Sequence, residues 1–368
     1  MSMEKRAWEK IEGFLSSDTF NGFTKDDLFI LRFVKKGWGQ DIAALSNMAE
    51  AISLRHEAGL LDSAKSQTLL RSTFERATHS SVSPYRTDIS SITDLGAFGY
   101  YLEHLNIIAG LSCALGDREY AEVNVRISAH LNEMSLTQDN AHARLLPHVK
   151  MRWSADQAAI LKSLWLCDQN HGTDFHAKPA EKWLAFMSEN MTDPETGLFQ
   201  TEVMRVKRYS RQPRGCALAY MAHYLQSFAP EVASHQWKLF KRAMLKTRLG
   251  LTGFREYLPS YAGKWTPDSG PIVGGVGIAA TGLGLKAART LSDPEAHGIL
   301  KRSVDRALLG IRLINFVPGA GIITSIGTDL LASAIYSNSL WVGYGDPREQ
   351  VGAGQKDEAH PHRNIMRN

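Results

Sequence analysis

Four short segments of the chain recur at nearly even intervals, and each has the character of a helix start with polar groups beside it. They begin at residues 97, 153, 214 and 268 and read AFGYYLEH, WSADQ, RGCA and DSGP. Even spacing of similar segments is typical of a structural repeat. The repeat therefore predicts a helical toroid in which residues far apart in the sequence converge on one pocket at the mouth of the ring.

The hydrophobic pattern is helical along most of the chain, and convincing alternating strands are absent. Apolar residues recur at steps of three and four, and turn signals such as Leu115-Gly116-Asp117 separate the helices. Within each predicted hairpin the first helix is the more apolar and the second is amphipathic, which distinguishes inner from outer helices. The inner helices are predicted near residues 41–56, 97–114, 155–168, 214–228, 271–290 and 328–341.

About six such pairs predict an all-α fold, an (α/α)6 toroid. We place the barrel at residues 39–345, with residues 1–38 as an N-terminal helical extension. After Trp341 the chain becomes polar and has little to bury, so residues 346–368 are predicted to be a disordered tail.

Composition narrows the function classes. The formal net charge is only +4, and Lys and Arg are scattered among Asp and Glu, which argues against nucleic-acid binding. Cys113, Cys167 and Cys216 lie in apolar helical runs and predict reduced core thiols, hence a cytoplasmic location. The start of the chain lacks a secretion signal, and no apolar run is long enough to span a membrane. We expect a small-molecule substrate and no metal, and a homo-oligomer remains open.

Two aspartates are the predicted catalytic carboxylates. Asp156 falls in the first turn of one inner helix, and Asp268 is expected at or just before the start of another. Free amides and the helix dipole favour a carboxylate at such positions, so a plain helix cap is the competing interpretation for both. A pair of carboxylates on different helices at one mouth is what general acid and base catalysis on a C–O bond needs.

Polar residues of the inner helix near 97–114 are the next candidates. Tyr100 and His104 lie four residues apart on one helical face, with Tyr101 beside them and Glu103 predicted to be turned away. A phenol and an imidazole aimed into one cavity could bind a hydroxyl group and move its proton. A histidine satisfied within the core is an equal alternative.

Further residues are predicted to bind substrate. Arg214 stands at a helix start, where the dipole disfavours a cation, so a carboxylate or an anionic substrate group is expected to hold it. Cys216 faces either the lumen or the core, and Glu256 is either a reserve acid or a salt-bridged rim residue. The walls of the pocket are assigned to two tryptophans, Trp153 and Trp265.

With these residues in view, the chain resembles bacterial (α/α)6 proteins related to linalool dehydratase-isomerase. The likeness is carried by Trp153-Ser-Ala-Asp156, Arg214-Gly-Cys-Ala-Leu-Ala-Tyr220 and Asp268-Ser-Gly-Pro, and it runs from about Leu95 to Trp341. It implies that acid and base groups at the toroid mouth add water to, or remove it from, a small terpene alcohol without a cofactor. The pair of pocket cysteines of the terpene enzyme has no counterpart between Trp153 and Lys162.

The main functional prediction is a cofactor-independent lyase or isomerase that acts on a C–O bond, with Asp156 and Asp268 as its carboxylates. The toroid also resembles glycoside hydrolases and uronate-acting enzymes, in which tryptophans stack on sugar rings and paired carboxylates cleave the bond. A carbohydrate-active hydrolase or uronate lyase is therefore one alternative. A non-catalytic toroid that binds glycans or lipids, with aspartates that merely cap helices, is the other.

Overall fold

The computed structural model describes residues 2–33, 39–205, 207–248, 250–261, 263–264, 266–314 and 328–341. Helices make up most of this part of the chain. In order they are α1 Met3–Leu15, α2 Gln40–Glu57, α3 Ser63–Thr78, α4 Gly99–Ala114, α5 Ala121–Leu136, α6 Ser154–His171, α7 Ala177–Asn190, α8 Gly215–Leu225, α9 Pro230–Met244, α10 Ile278–Thr290, α11 Pro294–Ile314 and α12 Leu330–Ser337. Short 3-10 helices lie at Phe29–Arg32 and Ile89–Ser91.

The helices with even numbers form a closed inner ring. Each packs against the next, from α2 through α4, α6, α8 and α10 to α12, and α12 packs against α2. The predicted all-α toroid of six inner helices is confirmed. In this ring α2 and α8 lie opposite each other, with two helices between them on either side.

The remaining helices lie outside the ring and are amphipathic because only one face is covered. In α9, for example, Trp237, Phe240 and Met244 are buried, whereas Lys238 and Arg242 are exposed. Helix α1 packs against α12 and α3 and so takes the outer position of the sixth pair. The predicted domain boundary at residue 38 stays a prediction, and the one at residue 345 and the predicted tail lie outside the described residues.

Short strands are present, although the sequence analysis found none. They are β1 Arg152–Trp153, β2 Glu202–Arg205, β3 Arg208–Tyr209, β4 Leu245–Arg248, β5 Leu251–Phe254, β6 Ile272–Val273 and β7 Val276–Gly277. All pairs are antiparallel, with β1, β2 and β3 in one sheet and β4 with β5 and β6 with β7 in hairpins. Strands of two to four residues are too short to show an alternating pattern in a sequence.

The fifth inner helix starts later than predicted. Residues 271–277 were expected in that helix, but they form the β6–β7 hairpin, and α10 begins at Ile278. Gly274 and Gly275, between the two strands, have φ of 59° and 86°. This left-handed backbone conformation suits glycine and turns the chain before the helix can begin.

The inner helices are buried on nearly every side. Helix α4 has buried residues at thirteen of its sixteen positions, including polar ones such as Glu103, His104 and Asn106. A helix of this kind has no solvent face, so its polar side chains must find partners inside the protein. None of the helices in the described part of the chain has the length and apolar character that a membrane-spanning segment needs.

Candidate active site

The starts of the inner helices meet at one mouth of the toroid. The inner helices α2, α4, α6, α8 and α10 are each followed by an outer helix that returns after a short connection, so successive inner helices run in the same direction. Their first amides are held by carbonyl groups of the rim: Gly99 by Arg144 at 3.1 Å, Ser154 by Thr201 at 3.0 Å and Gly215 by Glu256 at 2.9 Å. The mouth is thus a set of helix starts fixed by loop backbone.

Asp156 is the third residue of α6 and reaches into this mouth. The N-cap position is occupied by Trp153, which makes no side-chain cap bond. The Asp156 side chain is only partly accessible to solvent. Burial, followed by the nearby Asp268 carboxyl, raises the pKa of Asp156 to about 7. At neutral pH this group is therefore able both to donate and to accept a proton.

Asp268 lies close to Asp156 but not at a helix start, and this part of the prediction is wrong. It belongs to a turn in which the Gly270 amide donates to the Thr266 carbonyl at 3.0 Å, ten residues before α10 begins. Its side chain is exposed at the opening. Surrounding protein raises the pKa of Asp268, while Arg214 opposes that rise. The structure thus brings the two predicted carboxylates together from different elements.

Tyr100 and His104 of α4 lie beside each other below the mouth. The Tyr100 hydroxyl donates to the Gly39 carbonyl at 3.3 Å, and its ring meets that of His104 edge-on, with centroids 4.9 Å apart. Tyr100 is partly accessible, and Asp156 is among the acidic groups that face it. His104 is fully buried, and burial lowers its pKa to about 3, so the imidazole is neutral.

Glu103 is not turned away, contrary to the sequence prediction. It is fully buried, and its carboxyl faces that of Asp156. Because α4 is enclosed on all sides, a position off the main polar face still points into protein. Tyr101 has a different environment: its hydroxyl donates to the Ala77 carbonyl of α3 at 3.0 Å, so the structure places it between the inner and outer layers and not at the mouth.

Arg214, Cys216 and Glu256 form one buried cluster at the start of α8. Arg214 donates through Nε to Glu256 Oε1 at 3.0 Å and through Nη2 to Thr266 Oγ1 at 2.7 Å. Glu256 also accepts from the Cys216 amide and thiol, both at 3.1 Å. The predicted carboxylate partner of Arg214 is therefore Glu256, and Glu202 contributes at 3.5 Å.

The contacts of this cluster stabilise the start of α8 against the rim of the mouth, and its groups are poorly suited to react with a substrate. Burial and the Glu256 carboxylate raise the pKa of the Cys216 thiol well above its usual range, so the thiol stays protonated. A Cβ at Gly215 would stand 2.0 Å from the Arg255 carbonyl oxygen, so only glycine permits this approach of α8 to the rim. Arg214 remains charged and lies near Asp268.

Of the two tryptophans that were predicted to form the walls of the pocket, the structure describes one. Trp153 is partly exposed and belongs to β1, where it pairs with Glu202 of β2. Trp265 lies outside the described residues. Two residues that the sequence analysis missed, Tyr220 and Tyr224 of α8, face the interior, with ring centroids 4.7 Å apart. Their spacing of four residues on a predicted inner helix was the signal that could have found them.

Deeper in the toroid, polar and charged side chains of α2, α8 and α10 meet. Glu50 of α2 bonds His223 Nε2 of α8 at 3.0 Å and also pairs with Lys286 of α10. Lys286 further donates to Asn47 Oδ1 at 2.9 Å. Although burial opposes its ionisation, Lys286 and His223 lower the pKa of Glu50. Since α2 and α8 face each other across the ring, this network closes the interior beneath the mouth.

One group in the described residues has metal-ligand geometry, and it lies outside the mouth. Asp168, Asp174 and His176 bring one ligand atom each to within 4.8 Å of one another. The Asp168 carboxylate is already used by its own loop, because it accepts from the amides of Phe175 and His176, each at 2.9 Å. We therefore assign no metal to it.

The fold and the position of the mouth define a class of protein: (α/α)6 toroids whose helix starts surround a polar opening. Comparison with solved structures supports this class. A doubly substituted, inactive family 76 alpha-1,6-mannanase of Salegentibacter sp. HEL1_6, in complex with alpha-1,6-mannotetrose, has a TM-score of 0.53 at 12% identity, covering 92% of this chain and 100% of the other.

Two further glycoside hydrolases are similar to the same extent. A family 76 enzyme from a bovine Bacteroides thetaiotaomicron strain has a TM-score of 0.56 at 11% identity, covering 92% of this chain and 76% of the other. A family 105 enzyme of C. acetobutylicum ATCC 824 has a TM-score of 0.53 at 12% identity, covering 90% and 99%. At such identities the likeness shows the fold alone.

The sequence matches no protein-family model, and no curated protein matches it either. The solved structures described above are glycoside hydrolases, and what they share with this chain is the toroid fold. They do not show the likeness to linalool dehydratase-isomerase.

Proposed function

We propose that the chain is a carbohydrate-active hydrolase or lyase that works at the toroid mouth with Asp156 as its acid. The observation that carries the proposal is the placement of Asp156: it is partly accessible, close to a second carboxylate, and has a pKa of about 7. Perturbed carboxyl groups in a cleft are the usual sign of acid and base catalysis. The fold shared with glycoside hydrolases favours a glycan as the substrate.

The environments of Asp156 and Asp268 give them different roles. Burial and the nearby Asp268 carboxyl raise the pKa of Asp156 and so favour its protonated form. Asp268 has the Arg214 guanidinium nearby, which favours its ionised form. In the hydrolytic case, the C–O bond breaks, the Asp156 proton passes to the leaving oxygen, and Asp268 takes a proton from the water whose oxygen bonds to the sugar carbon.

The lining of the mouth favours a substrate rich in hydroxyl groups. Tyr100, Tyr220 and Asp156 are partly accessible, and Asp268 is exposed. A glycan can satisfy such groups with hydrogen bonds, whereas a terpene alcohol would leave most of them without a partner. Leaving polar groups desolvated and unpaired is costly, about 1–3 kcal/mol for each.

A thermal-shift screen tests the substrate class. The purified chain is heated with neutral oligosaccharides, uronides and terpene alcohols, and a ligand at one hundred times its Kd is expected to raise the melting temperature by about 3 to 4 °C for a protein of this size. A response limited to terpene alcohols would overturn the proposal.

Any glycan that binds is then tested as a substrate of two variants. Asp156→Asn should abolish turnover while binding persists, because an amide cannot donate the proton that the leaving group needs. Asp174→Asn serves as the matched control, since Asp174 is exposed and follows the end of α6 that lies opposite the mouth. Turnover that survives in Asp156→Asn would rule out the acid role.

A further inference from the structure

Glu103 occupies an unusual position for an acidic residue. Its side chain has no solvent exposure, and neither carboxyl oxygen has a hydrogen-bond partner of normal geometry among the described residues. None of the ion pairs of the described residues gives it a lysine or arginine; the ionisable side chain beside it is the neutral imidazole of His104, whose Nε2 lies at 3.7 Å. A buried carboxylate without a cation is strongly disfavoured, so Glu103 is expected to be neutral.

The groups around Glu103 come from its own helix, from the neighbouring helix α6 and from α8, the next helix of the inner ring. Tyr100 and His104 lie on α4, Asp156 faces it from α6, and Tyr220 and Tyr224 face it from α8. The phenols are held protonated by burial. Of these groups, the Asp156 carboxylate is the one that becomes an anion near neutral pH.

We propose that Glu103 is a positioning residue, a neutral carboxylic acid whose O–H donates to the Asp156 carboxylate and holds it in place during proton transfer. The pair would then resemble two carboxyl groups that share protons, of which only the accessible member reaches the substrate. When Asp156 gives its proton to a leaving oxygen, the bond from Glu103 stabilises the anion that results. The inference extends the proposed function, but its test requires no substrate.

The direction in which a Glu103 substitution shifts the pKa of Asp156 distinguishes a donated hydrogen bond from repulsion between two negative charges. Hydrogen bonding to the charged form of an acid lowers its pKa, and a neighbouring negative charge raises it. If Glu103 is neutral and donates, removing the donor must raise the pKa of Asp156. If Glu103 is ionised, removing its charge must lower that pKa.

The test uses the full chain labelled with 13C at the aspartate side-chain carboxyl, with the Asp156 resonance assigned by its loss in Asp156→Asn. Its titration midpoint is compared in the wild type, Glu103→Met and Glu103→Gln. Met removes the donor at similar volume, whereas Gln keeps an N–H that can donate. We expect Met to raise the midpoint by about one pH unit, a tenfold change in the protonation equilibrium, and Gln to leave it nearly unchanged.

A midpoint that falls or stays unchanged in Glu103→Met would overturn the proposal. Unfolding temperatures of the variants show whether the fold is intact. If the Met variant does not fold, glutamate-labelled wild type decides: the Glu103 carboxyl, assigned through Glu103→Gln, must remain protonated through about pH 7, and a titration midpoint below about pH 7 refutes the neutral acid. If no carbohydrate binds but these titrations give the expected midpoints, the positioning role of Glu103 stands. Only the proposed substrate class is then refuted.

Discussion

The network that closes the toroid interior predicts a large and specific loss of stability. Glu50→Ala removes the carboxylate that pairs with Lys286, which is only 1% exposed and keeps the Asn47 amide oxygen and the face of the Tyr224 ring as neutral partners. Breaking a buried ion pair from one side costs about 3–5 kcal/mol because the other charge stays buried. Since a domain is stable by about 5–15 kcal/mol in total, the change should be plain in a urea unfolding curve.

The second half of the experiment replaces both charges. In Glu50→Met with Lys286→Met no charge of the pair remains, and we expect most of the lost stability to return. Glu57→Ala, an exposed position on the same helix, is the control and should change stability by no more than about 0.5 kcal/mol. A single variant that costs less than about 1 kcal/mol, or a double variant no better than the single one, would refute the reasoning.

Three further predictions concern the mouth. Gly215→Ala places a methyl group 2.0 Å from a rim carbonyl and should destabilise the protein by about 2 kcal/mol or more, whereas Gly13→Ala, in open space on α1, should stabilise it by about 0.5–1 kcal/mol; chemical unfolding of both variants checks this. Because the pKa of Asp156 rises to about 7 on folding, the folded state binds the extra proton, so stability should fall as pH rises from about 4 to about 7. Asp156→Asn should weaken that fall, and parallel stability curves would contradict the assignment. Arg214→Met leaves the Glu256 carboxylate buried without its cation and should lower the melting temperature markedly, while a shift of less than one degree would show that the pair contributes little.

The fold was largely predictable because its main determinant is periodic. Inner helices buried on all sides and outer helices with one apolar face differ in composition, and that contrast survives in the sequence even without any alignment. The exception is instructive: residues 271–277 are as apolar and rich in small residues as the helix that follows them. Their hairpin depends on the conformation of Gly274 and Gly275, which sequence periodicity does not report.

The site was predictable in part. Helix starts located Asp156 and Arg214, because the first turn of an inner helix necessarily lies at the mouth. Glu103 could have been found, because its spacing of three residues from Tyr100 places the two side chains on adjoining parts of the α4 surface. Spacing cannot show, however, that α4 is enclosed on every side. The partners of Glu50 could not be predicted from the sequence either, since His223 and Lys286 are 173 and 236 residues away in the chain.

The packing of α1 against α12 has a consequence for the order of events during synthesis. Lys10 Nζ bonds the Thr328 carbonyl at 2.8 Å across 318 residues, and the Phe29 amide bonds Asp329 at 2.9 Å across 300. Contacts of such sequence separation close late, because the loop between them must be ordered first. Among the helices of the toroid, α1 is synthesised before the others and is thus among the last to be fully covered. The Glu50 network of the interior can form only when this part of the ring closes.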